Sequence, residues 1–578
     1  MLSQVRPRVA SLYQAHQNFI LLLCLFISFR AFTLLAYRPG GLVLDFSDFY
    51  WYREFAQLER QGYLPYSTIW TTYPPLFPAL MLKVWQLSTL LPPWTFANLW
   101  FSLLLGSIFL AFETGNFILL YLIGLKLYPL SDAFKPAWIY AGLFVPVYTM
   151  TGWFESYPLF FFLLSLYLLL QGRPYLSAWC SGIGFMIKLI PLILLPVGVK
   201  VARGRGRWGR LRIAALQLNL DIQAVALYLL IFIITVLAIA YPFYRQNPDL
   251  ILGSVQITAA RQPWETVWAL WEGQYDYGII PLDMRDLAWQ PADGPGSSLP
   301  WPWITLGFGL LYGFLYTRPL NWQEPKRLVA FTGLTVCLFF LYSKGYSPQW
   351  LGWLLVFNAL LLPTLRGVGY AIVLSAANLV EANLYFIMFP SESWLLATTV
   401  LLRTALIIVL ALEFGLIIWP QLETPALINR RRWAIGLGLA LLLIGGLPAA
   451  KRLGTAYQAR QLEQGPYYQT ISWLGEQPVR EAILLNSQTT YDWFYPYLRH
   501  SHAFFMLDDY AQAGSTVEAK TTRLLESIAA QHQALWVYDS NPAETSPAEA
   551  AAQPWLAQAQ LAHQADIDGG RLYLFIFQ

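Results

Sequence analysis

Apolar runs of membrane-span length recur along most of the chain, separated by short polar segments. Runs of roughly 17–25 residues are long enough for an α-helix to cross about 30 Å of hydrocarbon. Membrane β-strands would instead be ~10-residue segments of alternating polarity, and the pattern contains no such series. The sequence therefore predicts an α-helical polytopic membrane protein with roughly 11–13 spans.

The composition agrees with this class. Only 12% of the 578 residues are charged and 57% are hydrophobic, whereas an ordinary soluble chain is about 25% charged. Cys24, Cys180 and Cys337 all lie in apolar runs, so we expect small buried side chains rather than disulfides or zinc ligands. The net charge of +4 says little by itself, and its distribution along the chain says more. No nucleic-acid partner is expected.

The loop charges predict an orientation in the plasma membrane. Lys and Arg cluster at residues 6–8, 126–135, 173, 200–212, 318–327, 366 and 430–432. Cytoplasmic loops collect such residues, so we expect these clusters and the N-terminus inside the cell. The predicted spans are 18–37, 136–151, 157–171, 222–243, 301–317, 328–343, 349–365, 368–388, 394–419 and 433–450. Two large outer loops follow from this order, at 38–75 and 244–300.

Two segments do not fit a simple alternation of single spans. Residues 76–130 return to the cytoplasmic side either as one long helix or as three passes. Residues 175–199 lie between two basic loops and are too short to cross twice. Irregular backbone at membrane depth must be buried or line a cavity. We therefore predict a re-entrant pair of short helices that turns near Lys188 and Pro191.

The chain changes character near Lys451, where charged and apolar residues become mixed. Strand-like runs EAILLNS, HAFFMLDD, QALWVYDS and RLYLFIFQ alternate with helical stretches such as TVEAKTTRLLESIAAQH. This alternation predicts a small extracytoplasmic α/β domain at 451–578, after a membrane module at 1–450. His500 and His502 lie in this domain, but no third ligand accompanies them and we predict no metal site.

The first outer loop carries two acids, Asp45 and Asp48, among many aromatic residues. The following segment FYWYREFAQLER predicts an interfacial amphipathic helix with Phe49, Tyr52, Phe55 and Ala56 on one face. Asp48 stands at the N-cap position of this helix. It is therefore either a plain helix cap or a carboxylate that takes part in chemistry, and Asp45 is either a loop residue or its neighbour in that chemistry.

Other polar residues fall on the predicted outer side. Ionisable groups near the membrane are energetically costly, so each is expected to have a partner or a function. They are Glu54, Glu155, Arg261, Glu265, Glu272, Lys344, Glu381 and Asn383. The outer loops are also rich in Trp, which is typical of an interfacial aromatic belt. Trp264, Trp268 and Trp271 have helical spacing, so a short amphipathic helix is predicted after Arg261.

Four stretches in order resemble the GT-C glycosyltransferases, the membrane enzymes that use polyprenyl-phosphate sugars. They are DFSDFYWY with QGYLPY and YPPLFP, then TGWFESYP, then GFMIKLIP, and then YSPQWLGW. The resemblance is nearest to the branch of polyprenyl-phosphate-mannose-dependent mannosyltransferases, and it covers roughly residues 18–420. Glu155 stands where that family usually has Asp.

The resemblance implies an inverting hexosyltransferase of the cell envelope, with mannose favoured. Its donor would be a polyprenyl-phosphate sugar and its acceptor a lipid, glycan or protein hydroxyl. Asp48 is the expected general base, with Asp45 either as the alternative base or as its helper. Arg261, Lys344 and Lys188 are the candidates for binding the donor phosphate. The candidates for contacting the sugar or acceptor are Glu155, Tyr52, Tyr73, Trp264 and Glu265.

Two other classes of function remain open at this stage. A lipid-linked sugar flippase would also need many spans, but it predicts inverted-repeat halves, which the sequence does not display. A non-catalytic assembly subunit predicts that Asp48 can be replaced without effect. No cofactor is expected, and the need for a divalent metal is left open.

Overall fold

The computed structural model describes residues 2–36, 48–92, 99–202, 210–213, 218–276, 278, 296–422, 451–455, 462–463, 465–498, 501–507, 516–542 and 545–577. The chain divides into two compact units, Met1–Ala434 and Ile435–Gln578. The predicted boundary at residue 450 falls among residues that are not described, so its position stays a prediction.

The first unit is built of helices. They are α1 (Leu2–Ala36), α2 (Phe49–Gln57), α3 (Leu76–Thr89), α4 (Leu99–Leu127), α5 (Lys135–Ala141), α6 (Phe144–Gly152), α7 (Ser156–Leu170), α8 (Pro174–Phe185), α9 (Leu195–Val201), α10 (Ile222–Gln246), α11 (Pro248–Ala260), α12 (Val267–Trp271), α13 (Trp301–Tyr316), α14 (Pro325–Tyr342), α15 (Leu351–Leu361), α16 (Leu365–Leu379) and α17 (Ser393–Ile418). A π-helical segment, Val380–Met388, continues α16. Two short antiparallel strands, β1 (Arg210–Ile213) and β2 (Leu218–Asp221), precede α10.

Six helical segments of the described part are long and apolar enough to cross a membrane. They are Tyr13–Ala36, Leu99–Leu127, Ile222–Gln246, Pro325–Tyr342, Leu365–Met388 and Ser393–Ile418. Three shorter apolar helical segments, Ser156–Leu170, Ile190–Val201 and Pro348–Leu361, accompany them. The predicted helical, multi-span class is therefore confirmed. The total number of spans and the orientation of the termini stay predictions.

Two segments differ from the predicted spans. The described residues of the range 76–130, which are 76–92 and 99–130, contain the two helices α3 and α4, rather than one long helix or three. The predicted span 136–151 is two short helices, because the backbone becomes extended at Leu143 (ψ 137°) before α6 begins. Pro146 lies in the first turn of α6, where its missing N–H costs nothing.

The predicted break in residues 175–199 is present. α8 ends at Phe185, a 3₁₀ segment covers Ile190–Leu194, and α9 follows, so that Lys188 lies at the turn. The hydroxyl group of Ser165 on α7 lies 2.8 Å from that of Ser177 and 2.6 Å from that of Ser181, both on α8. These buried contacts hold α8 against α7 and fix the position of the turn that carries Lys188.

The second unit is a mixed five-stranded sheet with helices. Its strands are β3 (Ala482–Leu485), β4 (Ala503–Met506), β5 (Ala534–Asp539), β6 (Gln560–Ile567) and β7 (Gly570–Ile576), in the spatial order β4-β3-β5-β7-β6. Its described helices are α18 (Tyr468–Glu476), α19 (Gln488–Leu498), α20 (Val517–Gln531) and α21 (Pro547–Leu556). Strands β4, β3 and β5 are parallel, and the hairpin β6–β7 adds two antiparallel strands. The predicted α/β character and all four predicted strands are confirmed, and β6 is additional.

Candidate active site

Asp48 immediately precedes α2, whose buried residues are the four on the predicted apolar face, Phe49, Tyr52, Phe55 and Ala56. The backbone N–H of Asp48 donates a hydrogen bond to the Gly152 carbonyl oxygen (3.1 Å), which ties this helix to the end of α6. The Asp48 side chain makes no capping bond to α2. Instead its Oδ2 accepts a hydrogen bond from the Tyr52 hydroxyl (3.1 Å). The carboxylate therefore does not act as a helix cap.

Burial raises the pKa of the half-buried Asp48 carboxyl to about 6, from 3.8 for an ordinary aspartate. Hydrogen bonds from Tyr52 and Trp153 and the positive charge of Lys188 oppose this rise, and the charge of Glu155 adds to it. A carboxylate with a pKa near 6 is mostly ionised at neutral pH. It is also a stronger base than an exposed aspartate, which is the property that general-base catalysis needs.

Glu155 and Lys188 form a buried ion pair beside Asp48. Glu155 precedes α7 and is 3% exposed, and Lys188 is 9% exposed. The second carboxylate oxygen of Glu155 accepts a hydrogen bond from the Trp353 indole N–H of α15 (2.9 Å). The pair therefore joins the start of α7, the turn after α8 and helix α15 at one point.

Aromatic rings surround this pair. The Lys188 ammonium lies 5.0 Å from the ring centre of Phe154 and 4.8 Å from that of Trp350. Phe154 also packs edge-on against Tyr52 and Tyr73, with ring centres 6.1 and 4.9 Å apart. The rings exclude water from one side of the ion pair, and cation–π contacts of this kind stabilise a partly desolvated ammonium.

A second cluster forms where residues 261–266 run alongside residues 344–346. The Trp264 N–H donates to the Lys344 carbonyl oxygen (3.2 Å), and the Tyr346 N–H donates to the Trp264 carbonyl oxygen (3.1 Å). The Arg261 guanidinium lies 3.9 Å from the ring centre of Trp264. The Lys344 ammonium donates to the Arg261 carbonyl oxygen (3.3 Å). Two of the three predicted phosphate-binding cations, Arg261 and Lys344, are therefore neighbours.

The predicted helix through Trp264, Trp268 and Trp271 is wrong in its first part. α12 covers only Val267–Trp271, and the Thr266 hydroxyl caps it by accepting the Ala269 N–H. Trp264 is in extended backbone because it pairs with Gly345 instead. The Trp spacing fitted a helix, but the capping threonine determines where the helix begins.

Trp350 connects the two clusters. Its ring contacts the Lys188 ammonium on one side, and its centre lies 6.4 Å from that of Trp264 in an edge-on contact. Trp264 in turn lies under Arg261. The structure thus brings Asp48, Glu155 and Lys188 into one cluster, with the Arg261 and Lys344 cluster joined to it through two indole rings.

Glu265 belongs to the 261–266 segment of the second cluster and is buried beside Glu381 and Arg403. Arg403 pairs with the Glu381 carboxylate and also donates to the Glu265 backbone carbonyl. Burial raises the pKa of Glu265 well above its usual range, and the Glu381 charge adds to that rise. Burial and the charge of Glu381 therefore both favour the neutral form of Glu265, and Arg403 is the counterion of Glu381.

Glu265, Tyr346 and Arg403 line a cavity of about 10 Å³, which is about the space that one water molecule needs. A sugar ring cannot enter a space of this size. The neighbours of Glu265 in the structure, Glu381 and Arg403, are therefore structural partners. A contact between Glu265 and substrate stays a prediction.

Replacing Arg403 by Met is expected to destabilise the protein by about 3–5 kcal/mol, because Glu381 would keep a buried charge without a counterion. Thermal unfolding of the purified protein measures the effect. Lys135→Met is the matched control, since its partner Asp132 and Lys135 itself are about half exposed and such pairs contribute about 0–1 kcal/mol. Equal effects of the two substitutions would contradict a stabilising role for the Arg403 pair.

The sequence alone gave no individual role to Arg403, Tyr346, Trp350 or Trp353. Arg403 carried a usable signal, because it is an isolated cation in the apolar run 393–418 and Glu381 is an isolated acid in the run before it. Such residues require a partner inside the membrane. Tyr346, Trp350 and Trp353 lie in the motif YSPQWLGW, but an interfacial belt predicts the same residue types, so the motif did not distinguish a site role from packing.

Several predictions concern residues outside the described part. Asp45 and the start of the first outer loop are among them, and so is His500. His502 is described, and its ring lies 2.8 Å from the Ser501 hydroxyl. Within the described residues, no group of three or more His, Cys, Asp or Glu side chains is arranged to hold a metal ion.

No protein-family model and no curated protein sequence matches the chain. Among solved structures, ArnT from Cupriavidus metallidurans in the apo state is 11% identical, with a TM-score of 0.37 over 97% of this chain and 98% of that one. The apo oligosaccharyltransferase from Archaeoglobus fulgidus is 11% identical, with a TM-score of 0.33 over 90% and 69% of the two chains. The oligosaccharyltransferase AglB from the same organism, in complex with an inhibitory peptide and a dolichol-phosphate, is 10% identical, with a TM-score of 0.34 over 91% and 70%. Likenesses this distant carry no argument about activity, which must rest on the residues of this chain.

Proposed function

We propose that the protein is a GT-C-type membrane glycosyltransferase that moves a sugar from a polyprenyl-phosphate donor to an acceptor hydroxyl. One observation carries the proposal above the others. The Asp48 carboxylate has a raised pKa of about 6, makes no capping bond, and lies beside a buried lysine. A plain helix cap needs none of these properties.

In the proposed reaction, Asp48 takes the proton from the acceptor hydroxyl as its oxygen attacks the anomeric carbon of the sugar. The bond between that carbon and the phosphate oxygen breaks, and the electron pair leaves with the lipid phosphate. A single displacement of this kind inverts the anomeric centre. The step needs no redox partner, and the proton removed from the acceptor is held on Asp48 until it is released to solvent.

The leaving phosphate gains negative charge, so it requires cations nearby. Lys188 is adjacent to Asp48, and Arg261 with Lys344 forms the next cluster through Trp350 and Trp264. Arg261 offers a planar fork that suits a phosphate, whereas each lysine acts as a point charge. We propose that these three side chains bind the donor phosphate, and that Glu155 and Tyr52 help to position the sugar.

Mannose is the favoured sugar because the motifs in the first outer loop resemble the mannosyltransferase branch. The test is transfer of labelled sugar from polyprenyl-phosphate mannose, and from other polyprenyl-phosphate sugars, by the purified protein in detergent with lipid, glycan and peptide acceptors. Release of polyprenyl phosphate that depends on acceptor would support the proposal. A protein that moves lipid-linked sugar across vesicles without cleaving it would instead be a flippase.

The rate of transfer is expected to fall below about pH 6, because Asp48 must be ionised to accept the proton and its pKa is raised to about 6. The loss should approach tenfold per pH unit at lower pH. Measurements of kcat/KM between pH 4.5 and 8 test this expectation. The midpoint of the fall in kcat/KM should lie about two pH units above 3.8, the pKa of an ordinary aspartate. A profile that stays flat down to pH 4.5 would contradict the assignment of Asp48 as the base.

A further inference from the structure

A cavity of about 510 Å³ opens in the first unit at a place that the proposed transfer site does not use. Its volume is within the range of small-molecule binding sites. The residues that line it are Lys200, Arg318, Pro319, Leu320, Asn321, Trp322, Arg327, Ile418, Trp419 and Gln421. We refer to this space as the basic cavity.

The basic cavity lies at the opposite end of the helices from the candidate active site. α14 begins beside Arg327 and ends two residues before Lys344, and its 18 residues span about 27 Å at 1.5 Å per residue. α13 likewise runs from Trp301, which contacts Lys344, to Tyr316, which contacts Lys200. The separation is close to the thickness of a bilayer's hydrocarbon core, about 30 Å. The two sites therefore belong to opposite membrane surfaces.

Among the lining residues, Lys200 gives the strongest argument for an anionic ligand. Its side chain is buried, with the whole residue 8% exposed. Its ammonium donates to the Tyr316 carbonyl oxygen (3.2 Å) and lies 4.5 Å from the ring centre of Tyr316 and 5.6 Å from that of Trp322. Within the described part of the chain, no carboxylate lies within ion-pair distance of it. A buried charge without a counterion is costly, and an anion in the cavity would remove that cost.

The rest of the lining also has an excess of positive charge. Arg318 is exposed at the rim, and its guanidinium lies 3.8 Å from the Phe314 ring centre. Arg327 pairs with Glu324 at 2.7 Å, so the described surroundings hold three cations for one carboxylate. Two arginines and a lysine around one space are the groups that proteins use to bind phosphate.

The cavity also has the features of a site at a membrane interface. Trp322 and Trp419 line it, and the Trp419 indole N–H is fixed by a hydrogen bond to the Pro319 carbonyl oxygen (3.1 Å). Trp is enriched where membrane meets water, and basic pockets between membrane helices bind the head groups of anionic lipids. Asn321 and Gln421 add neutral hydrogen-bonding groups.

We propose that the basic cavity binds the phosphate group of an anionic ligand at the surface opposite the transfer site, with Lys200 and Arg318 as its main contacts. The phosphate could belong to a lipid head group or be free in solution, since both present the same oxygens. This site is separate from the proposed donor site, so its existence does not depend on the transfer reaction.

The test is the thermal unfolding midpoint of the full chain in a neutral detergent, titrated with phosphatidylglycerol, with phosphatidylcholine and with inorganic phosphate. We expect a saturable rise with phosphatidylglycerol but not with phosphatidylcholine if the ligand is a lipid head group. A saturable rise with inorganic phosphate would identify a free phosphate. Both results support the proposal. The absence of a saturable rise with either anion would overturn it.

Variants assign the effect to the cavity. Lys200→Gln and Arg318→Gln should each weaken the apparent affinity at least tenfold. Arg318 is exposed, so its replacement keeps the test usable if the Lys200 variant does not fold. The matched control is Lys126→Gln, an exposed lysine outside the cavity lining with the same change of charge. If the control weakens binding as much as the cavity variants do, the binding is general surface attraction and the proposal is wrong.

Discussion

Replacing Asp48 by Asn is expected to lower the rate of sugar transfer by a factor of about 10²–10⁴, the usual contribution of a general base. The substitution keeps the size of the side chain and an oxygen that can accept the Tyr52 hydroxyl, whose bond to Asp48 is 3.1 Å long. It removes the negative charge and, with it, the capacity to take a proton. The measurement is turnover of a polyprenyl-phosphate sugar by the purified variant at pH 7.5, where the wild-type carboxylate is ionised.

The same substitution should make the protein more stable at neutral pH. The pKa of Asp48 is about 6 in the folded protein and near 3.8 when unfolded. A raised pKa means that the folded state binds the proton more tightly. Its stabilising contribution is therefore present below about pH 4 and is lost as pH rises through 6. The asparagine side chain of the variant carries no charge at any pH, and we expect a gain on the order of 1–3 kcal/mol at pH 7.5.

Glu54→Gln is the matched control for both measurements. Glu54 lies on the same helix and pairs with Arg53 at 2.5 Å, where it is about one third exposed. We expect little change in transfer and a change in stability of about 1 kcal/mol or less, because this pair is partly open to solvent and surface pairs contribute about 0–1 kcal/mol. If the Asp48→Asn variant transfers sugar at the full rate, Asp48 is not the general base. If the variant loses much of its stability, Asp48 is a structural residue.

The local patterns predicted the parts of this site that depend on neighbouring residues. The apolar face of α2 was predicted correctly because i, i+3 and i+4 spacing determines which side of a helix packs. The turn near Lys188 and Pro191 was predicted because residues 175–199 lie between two basic loops and are too short to cross the membrane twice. Four strands of the second unit, β3, β4, β5 and β7, were predicted because each is a short apolar run between polar segments.

The contacts between distant segments could not be predicted in the same way. The pairing of Trp264 with Gly345 joins segments about 80 residues apart and overrides the helical spacing of the tryptophans. β6 reads QLAHQADI, and five of its eight residues are exposed in a row, so it lacks the apolar signal of the other strands. It is held as an edge strand by its hairpin with β7.

The ion pair of Glu155 and Lys188 shows the same limit. The sequence identified each residue separately, as a candidate for sugar and for phosphate. Only the fold brings them together at one buried point with Trp353. A lysine that is already paired can still bind a leaving phosphate, but it has a structural task as well. The two tasks must be separated by experiment.

Lys188→Met is expected to destabilise the protein by about 3–5 kcal/mol, because Glu155 would be left with a buried charge. The double variant Lys188→Met with Glu155→Gln should recover most of that stability. The glutamine side chain is neutral, and its carbonyl oxygen can still accept the Trp353 N–H that now binds Glu155 at 2.9 Å. Thermal unfolding of the two variants measures this difference.

Transfer activity then separates the two tasks of Lys188. If Lys188 binds the leaving phosphate, the double variant folds well but stays impaired in kcat, because its cation has not been replaced. Lys188 lowers the pKa of Asp48 more strongly than Glu155 raises it. The pKa of Asp48 should therefore rise in the double variant, and transfer should begin to fall at a pH above 6. A double variant that regains both stability and transfer would show that Lys188 only neutralises Glu155, and the donor phosphate would then depend on Arg261 and Lys344.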